Sequence, residues 1–473
     1  QTLEIPLAQV GRFALHGSGG TARLLMAGPG PALWLRGTHD RSADPASFQP
    51  GVWQDQRLPT IANLEIVGRH PEADGVRLEG VMQPTLSQVL IRQVRHGIHV
   101  TGRARNLLIG QCHVYHNTGV GIFLERVNLH QAIVTGSHIS YCRQGGLRIT
   151  DSEIRNLQIT GNDIEYNNNR AFQVANADAE PTAEIYIDCQ SGSIREGTIA
   201  SNTLQATYSP NGANIRLVGA GPDKPHKVGL FAISGNLIGS QEVNIHCTSV
   251  RGVTIAGNVL YSGHSRNLLL EQCRNLSVGA NVFDHNPDYE PRQLCTGIRL
   301  VDCVDSVLSG LVIQDGETGR HTVPDAGPQE RQALVELVRC RRVALQGVQI
   351  LDGTPLGLAV EDSHDVTVTG CGILDTRAEP RMQRAIDWRG EGTGNLIANC
   401  RLGGRNRPSP LPPTSAAGTT WKAEPTQPTA RPPRATDVTR RTFPNGPSPT
   451  PLSPRRGPNR WREYAGGLQN GSV

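Results

Sequence analysis

Apolar and polar residues alternate along most of the chain, and the alternation comes in copies. Residues 121–142 read GIFLERVNLHQAIVTGSHISYC, and residues 146–167 read GLRITDSEIRNLQITGNDIEYN. Both run Gly-apolar-x-apolar, a polar gap, apolar-x-apolar-Thr-Gly, a small polar residue, then x-Ile. The first half recurs as GVRL at 75, GIHV at 97, NIRL at 214, NIHC at 244, GIRL at 297 and GLAV at 357. The second half recurs as LLIGQCHV, GTIASNTL, FAISGNLI, VTIAGNVL, LSVGANVF and VTVTGCGI. The cleanest copies start at 75, 97, 121 and 146, a spacing of 22 to 25 residues. Each half has the two-residue period of a strand, and no helical period competes with it.

A unit of this length, with short strands and Gly/Asn turns, is one coil of a parallel β-solenoid. A single coil cannot bury its apolar face alone, so neighbours must stack at the strand spacing of about 4.8 Å. A leucine-rich repeat has similar length but needs a dense Leu framework and a helix or extended arm per unit, which the sequence lacks. One column is decisive. After the Thr-Gly stand Cys112, Ser137, Asn162, Asn202, Asn236, Asn258 and Asn281, then later Cys371 and Cys400. Stacked asparagines can bond their amides along the solenoid axis and satisfy turn backbone groups. This ladder, with the Gly-[Val/Ile/Leu]-x-[Val/Ile/Leu] strand, resembles the right-handed parallel β-helix proteins of the pectate-lyase-like superfamily over roughly residues 60–403. The resemblance implies an all-β, right-handed, single-stranded parallel β-helix with Asn/Cys ladders. It leaves activity open, because such folds serve lyases, hydrolases, epimerases, phage tailspikes and non-catalytic adhesins. The expected organisation is a β-helix over 1–404, with irregular first coils in 1–60, and a tail from 405 to 473.

Composition sharpens this picture. The chain has 473 residues and is 37% hydrophobic, with 53 Gly but only 7 Phe, 5 Trp and 8 Tyr, so its core must stack small and branched aliphatics. The net charge of +4 conceals an asymmetry. From residue 405 onward there are 11 Lys/Arg against 3 Asp/Glu and 14 of the 32 prolines, which leaves 35 basic and 39 acidic residues before it. A basic, Pro-rich segment without an apolar period predicts a disordered, solvated tail. No apolar run approaches the roughly 20 residues that span a bilayer. The abrupt strand-like start suggests a processed or truncated N-terminus. The ten cysteines form no C-x-x-C pair. Most fall into repeat columns: three in the Asn column, and Cys273, Cys303 and Cys340 in another. Cys247 takes an inward aliphatic slot. They read as reduced core residues, with a disulfide between stacked neighbours as the alternative.

Candidate chemistry follows from strand alternation. The third residue of each Gly-x-x-x strand should point outward, giving Arg77, His99, Phe123, Arg148, Gln173, Arg216, His246 and Arg299. Such a row suits an anionic or polyhydroxylated chain lying along the axis, because Arg forks onto carboxylates. In the resembled family this strand is the first of each coil, and enzyme members place their sites there and in the adjoining turns. The turn before it carries His116 and Asn117, then Tyr141 and Arg143, then Tyr166 and Asn167. Polysaccharide β-elimination needs a group to neutralise the uronate carboxylate, a base for the C5 proton and an acid for the leaving oxygen. His99, His116, Tyr141 and Arg148 are the expected catalytic cluster. Arg77, Asn117, Arg143, Tyr166, Asn167, Arg216 and His246 are the expected substrate contacts. A second column, His113, His138 and Asp163, is a metal or His-Asp relay candidate. Beside it lie Tyr115, Ser140 and Glu165. Neutral-sugar hydrolysis would need a carboxylate pair drawn from Asp151, Asp163 or Glu165. The Asn-Thr-Asp, Asp-Asp and Gly-His-Gly signatures of polygalacturonases are absent, as are the stacked carboxylates of calcium-dependent pectate lyases. No nucleotide loop, serine elbow or H-E-x-x-H occurs. Interruptions at 175–185, 206–221 and 314–332 are expected to form loops walling a groove.

The sequence therefore predicts a secreted or extracytoplasmic β-helix acting on an acidic polysaccharide by lyase or C5-epimerase chemistry, without a cofactor or resident metal. The alternative is a non-catalytic glycan-binding or scaffold β-helix. Neither a transmembrane segment nor a nucleic-acid partner is expected.

Overall fold

The computed structural model describes residues 1–41, 46, 48–169, 181–224, 227–284, 297–315 and 331–403, together with the short strands His321–Val323, Gly327–Gln329 and Thr420–Lys422. Among the described residues, thirty-nine strands join one parallel sheet that winds around a common axis, and His321–Val323 pairs antiparallel with Gly327–Gln329 apart from it. Parallel crossovers of this kind are right-handed almost without exception. The architecture is a right-handed parallel β-helix.

Each coil contributes strands to three faces. The first face takes strands such as Leu147–Thr150, Ala183–Asp188, Ala213–Val218 and Val243–Thr248. The second takes the long runs such as Glu153–Thr160, and the third takes three-residue strands such as His138–Ser140 and Asp163–Glu165. Register is direct: Ile122 and Leu124 stack on Ile98 and Val100 below and on Leu147 and Ile149 above. All six are essentially inaccessible to solvent. The inner wall is a stack of Ile, Leu and Val, as the scarcity of aromatics requires.

The predicted ladder is present. The Ser137 backbone N–H donates to Asn162 Oδ1 at 3.1 Å, and the Asn162 N–H donates to Asn202 Oδ1 at 3.0 Å. Asn202, Asn236, Asn258 and Asn281 continue it, each lower Nδ2 donating to the next Oδ1 at 2.9 or 3.0 Å. The other amide proton bonds a carbonyl, as from Asn236 Nδ2 to Ile199 at 2.9 Å. Every polar atom of these buried side chains is thus used. The glycine before this column is explained by its backbone: Gly136, Gly161, Gly235 and Gly257 have φ between +58° and +69°, where a side chain is strained. Two further ladders flank the first face. One is Asn214–Asn244–Asn267, and the other is Asn117–Cys142–Asn167–Glu184.

Three expectations need correction. After Arg148 the outward row continues with Tyr186, not Gln173, because Leu147–Thr150 pairs with Ala183–Asp188. Gln173 lies outside the described residues. The interruption expected at 206–221 contains the regular strand Ala213–Val218, as 175–185 contains the start of Ala183–Asp188. The sheet also passes the boundary expected at 404, since Thr420–Lys422 pairs with Leu396–Ala398. The first 60 residues form paired strands with two short helices, Leu7–Val10 and Pro50–Asp55. By contact density the chain divides into 1–424 and 425–473. The second unit, with most of the expected tail, lies outside the described residues. The nine described cysteines are free, and eight are buried. No described helix is long and apolar enough to cross a membrane.

Replacing Asn236 by Ala is expected to orphan the Asn202 backbone N–H and break the ladder on both sides. A loss of about 1–3 kcal/mol follows from leaving buried donors unsatisfied. It is read as a lowered midpoint in denaturant unfolding. An unchanged midpoint would mean that the ladder contributes no net stability.

Candidate functional site

The outward row of the first face reads Trp34, Arg77, His99, Phe123, Arg148, Tyr186, Arg216, His246, Leu269, Arg299 and Glu336, each the direct register partner of the next. Strand alternation aims these side chains outward while their neighbours fill the core. Most are half-buried, because long residues on successive coils cover one another. Arg77 lies over the Trp34 ring at 4.8 Å, and Arg148 lies over Tyr186 at 5.1 Å. Arg216 approaches the same Tyr186 ring at 5.9 Å and donates to the Asn211 carbonyl. Arg148 has no carboxylate partner among the described residues. The Nε of Arg77, Arg148 and Arg216 each lack a hydrogen bond there.

Two histidines of this row have the same carboxylate arrangement. His99 Nε2 lies 3.1 Å from Glu125 Oε2, and His246 Nε2 lies 2.7 Å from Glu271 Oε2. Burial pushes both imidazoles below the ordinary value of 6.5, while the glutamates oppose that shift. Each histidine is therefore neutral at neutral pH. A carboxylate at Nε2 holds the ring proton there and leaves the Nδ1 lone pair open, the tautomer of a general base. His99 also stacks on Phe123 at 5.3 Å, and His96 lies 6.0 Å away. Burial lowers His96 to about 4. Its Nδ1 accepts the Val120 N–H, which ties it to the turn.

The expected cluster of His99, Arg148, His116 and Tyr141 divides between two surfaces. His116, Tyr141 and Tyr166 do share one column, with rings stacked at 5.0 and 5.5 Å. They occupy the corner that follows the third face, each with φ between 55° and 59°. Their ring faces are turned to one another along the axis, and Tyr141 is 37% exposed. His99 meets Glu125, Phe123 and His96 on the first face, whereas His116 meets Tyr115 and Tyr141 at the corner. Arg143 lies in the turn, its N–H bonded to the Asn117 carbonyl. Asn117 and Asn167 are 1% and 0% exposed. They are rungs of a buried ladder and not substrate contacts: the Val94 N–H donates to Asn117, and the Cys142 N–H to Asn167. Sequence spacing placed both in the turn correctly but could not tell an inward amide from an outward one.

On the third face, His113 and His138 stack in parallel at 5.1 Å, and His138 Nδ1 lies 3.1 Å from Asp163 Oδ2. Parallel stacking presents ring faces, not converging lone pairs. No group of three or more His, Cys, Asp or Glu is disposed to hold a metal among the described residues. Burial and the adjacent Asp163 raise Glu165 to about 7. Asp151 caps the turn at Gln190 and Ser191 instead of joining a carboxylate pair.

Tyr186, Glu125, Glu271 and Glu184 escaped the sequence reading. The insertion after Arg148 hid Tyr186 and with it Glu184, two residues before it, while Glu125 and Glu271 sit two residues past the row. Glu184 is fully buried against Asn167, and burial raises it to about 8. A cavity of about 720 Å³ lined by Asp284, Gln314, Asp315, Asp352 and Arg377 lies at the third-face corner, away from this row. Its buried carboxylates are engaged: Asp315 by Arg331, and Asp352 by Thr376 and Gln314.

A family model described as "Right handed beta helix region" matches residues 52–184, in agreement with the fold. No curated protein matches the chain. Among solved structures, the chain is similar to the A-module of a mannuronan C-5 epimerase from Azotobacter vinelandii, at 14% identity over 84% of this chain and 92% of that one, TM-score 0.27. It is similar to tailspike protein 3 of bacteriophage CBA120, at 11% identity over 85% of this chain and 54% of that one, TM-score 0.36. A third is the family 28 exopolygalacturonase of Yersinia enterocolitica, at 12% identity over 84% and 71%, TM-score 0.27. These likenesses concern the fold alone.

The Glu184 carboxyl sits above its ordinary 4.5 in the folded chain, at about 8. Its contribution to stability is full below 4.5 and is lost as pH rises through about 8. Glu184→Gln is expected to flatten the fall in thermal midpoint across that window. A slope equal to that of the unmodified protein would mean that another group causes it.

Proposed function

We propose that this β-helix is a carbohydrate-active, extracytoplasmic protein that binds an anionic polysaccharide along its first face and cleaves it by lyase chemistry, with C5-epimerisation as the related outcome. The observation that supports this reading is the His99–Glu125 pair, set between Arg77 and Arg148 on one outward row. Arg148, without a carboxylate partner among the described residues, neutralises the uronate carboxylate, and Arg77, itself paired to Glu79 at 3.3 Å, lies beyond His99. Loss of that negative charge acidifies the C5 proton, and His99 Nδ1 takes it while Glu125 stabilises the imidazolium formed at Nε2. Tyr141 and His116, at the corner, have no part in this step. A single imidazole suffices for elimination when the C5 proton and the leaving O4 lie on one face of the sugar. The same Nδ1 then returns its proton to the departing oxygen. Epimerisation would require a donor on the opposite face.

The test is ultraviolet absorbance of unsaturated uronate, with alginate and polygalacturonate as substrates. His99→Ala is expected to lower kcat by 10²–10⁴-fold, the usual worth of a general base. Arg148→Ala is expected to raise KM and lower kcat together. Binding without any product, in the unmodified protein, would replace the lyase by a glycan-binding scaffold.

The pH profile gives a second expectation. His99 lies below 6.5 because of burial, and Glu125 raises it. The rate should rise with pH through a value below 6.5 and then level off. In Glu125→Gln the opposing charge is gone, so the acid limb should move to still lower pH. A limb that stays in place would remove Glu125 from the base.

A further inference from the structure

The outward row of the first face is written twice. From the N-terminal end it reads Trp34, Arg77, His99, Phe123, Arg148 on five successive strands. It then reads Tyr186, Arg216, His246, Leu269, Arg299 on the next five. Each block is aromatic, Arg, His, apolar, Arg. The agreement extends to the residues two places further along the strands. Glu125 follows Phe123 as Glu271 follows Leu269, and each bonds the histidine Nε2 of its block through Oε2. Thr101 follows His99 and is the register partner of Glu125, as Thr248 follows His246 and is the register partner of Glu271. In each block the first Arg lies by the aromatic ring, Arg77 at 4.8 Å from Trp34 and Arg216 at 5.9 Å from Tyr186.

We infer that the block of Arg216, His246 and Glu271 is a second binding site for the same anionic glycan, equivalent in plan to the His99 site, and that one polymer chain engages both. This rests on the reading of the first face as an acidic-polysaccharide surface. A cross-strand His–Glu pair alone has a simpler role as a stabilising contact between coils. That role does not account for the flanking arginines. Arg77 and Arg216 each have an Nε without a hydrogen bond among the described residues. Holding Arg148 and the buried Arg216 without a carboxylate partner among the described residues has a desolvation cost that an anionic ligand would offset. The sites lie five strands apart, about 24 Å at the strand spacing. Tyr186 occupies the rung between Arg148 and Arg216, so the row runs on from one site to the next.

The blocks differ in their arginines. Arg148 has no carboxylate partner among the described residues, whereas Arg299 is held 2.5 Å from the buried Glu336. Arg77 is paired too, its Nη2 3.3 Å from Glu79 Oε2, so each block keeps one arginine without a carboxylate partner among the described residues, Arg148 in the first and Arg216 in the second. Arg216 is buried where Arg148 is only partly so, which makes the second site the weaker of the pair, a grip on the polymer beside the site of chemistry. Two linked sites gain avidity of about 10²–10⁴ over one, without new contacts.

The experiment is calorimetric titration of the full chain with alginate and polygalacturonate, each as oligomers too short to span both sites and as polymer. Titrations run below the acid limb of His99, where turnover is off. The expected result is two short oligomers per chain, falling to one in Arg216→Gln/His246→Gln and to one in Arg77→Gln/His99→Gln. Polymer should bind at least about 10²-fold tighter than oligomer, and either double variant should remove that advantage. Glu271→Gln, at a partly exposed position, is the variant least able to disturb folding, and it should weaken the second event alone. One oligomer per chain in the unmodified protein, unchanged by Glu271→Gln, overturns the second site and leaves the His99 reading standing. No binding of either uronate in any form overturns both.

Discussion

Everything in this chain depends on the stacking of each coil directly upon the last, in register, one strand spacing apart. The backbone ladder fixes the spacing, and the side chains fix the register. A slip of one residue would turn Ile122 and Leu124 outward and Phe123 inward. The asparagine ladder guards against that slip at the corner. Each buried amide must accept from the coil below and donate to the coil above, and a shifted amide would be left unsatisfied in a dry interior. Specificity of register is thus held by polar groups, and stability by the aliphatic stack around them.

Stacking has an electrostatic consequence. Equivalent residues of neighbouring coils lie within a few ångströms, so like charges in one column repel at close range. The first face interleaves its cations with rings and imidazoles: Trp34 precedes Arg77, Phe123 precedes Arg148, and Tyr186 separates Arg148 from Arg216. The corner after the third face solves the same problem differently. There Asp315 and Asp352 stand in register where His116 and Tyr141 stand earlier, and Asp375 follows. Arg331 and Arg377 neutralise the ends of that column, and Thr376 and Gln314 bond its middle. One corner carries stacked rings near one end and paired carboxylates near the other. The coil dictates only that equivalent residues touch, and the sequence decides what touching means.

This explains which parts were legible in advance. Fold and ladder were readable because they repeat: Asn162 through Asn281 form a column on paper as they do in space. The outward row was readable for the same reason, from Arg77 to Arg148 and again at Arg216, His246 and Arg299. It failed at Gln173, because an insertion breaks the count and alternation alone cannot find the next strand. Asn117 and Asn167 failed for another reason. At a corner the two-residue period ends, and a turn residue can point either way. The proposed union of His99 with His116 and Tyr141 failed because proximity across a coil depends on the path of the turn, which no period encodes. Glu125 and Glu271 lie on strands whose alternation was read correctly. They were missed because only one of two outward positions per strand was followed.

A solenoid of this kind lines up equivalent residues of successive coils along the axis. It offers a row, and chemistry must be assembled from adjacent rungs. In the proposed site His99 takes its carboxylate from the next strand and has arginines on the strands on either side of that pair, so the proposed unit is four coils long. That geometry suits a ligand that is itself a row. A polymer with one carboxylate per sugar meets equivalent groups at regular intervals, and the coil spacing determines where they stand. The recurrence of Arg, His, apolar, Arg after five strands is then the economical outcome. A site made by stacking is most readily multiplied by stacking more.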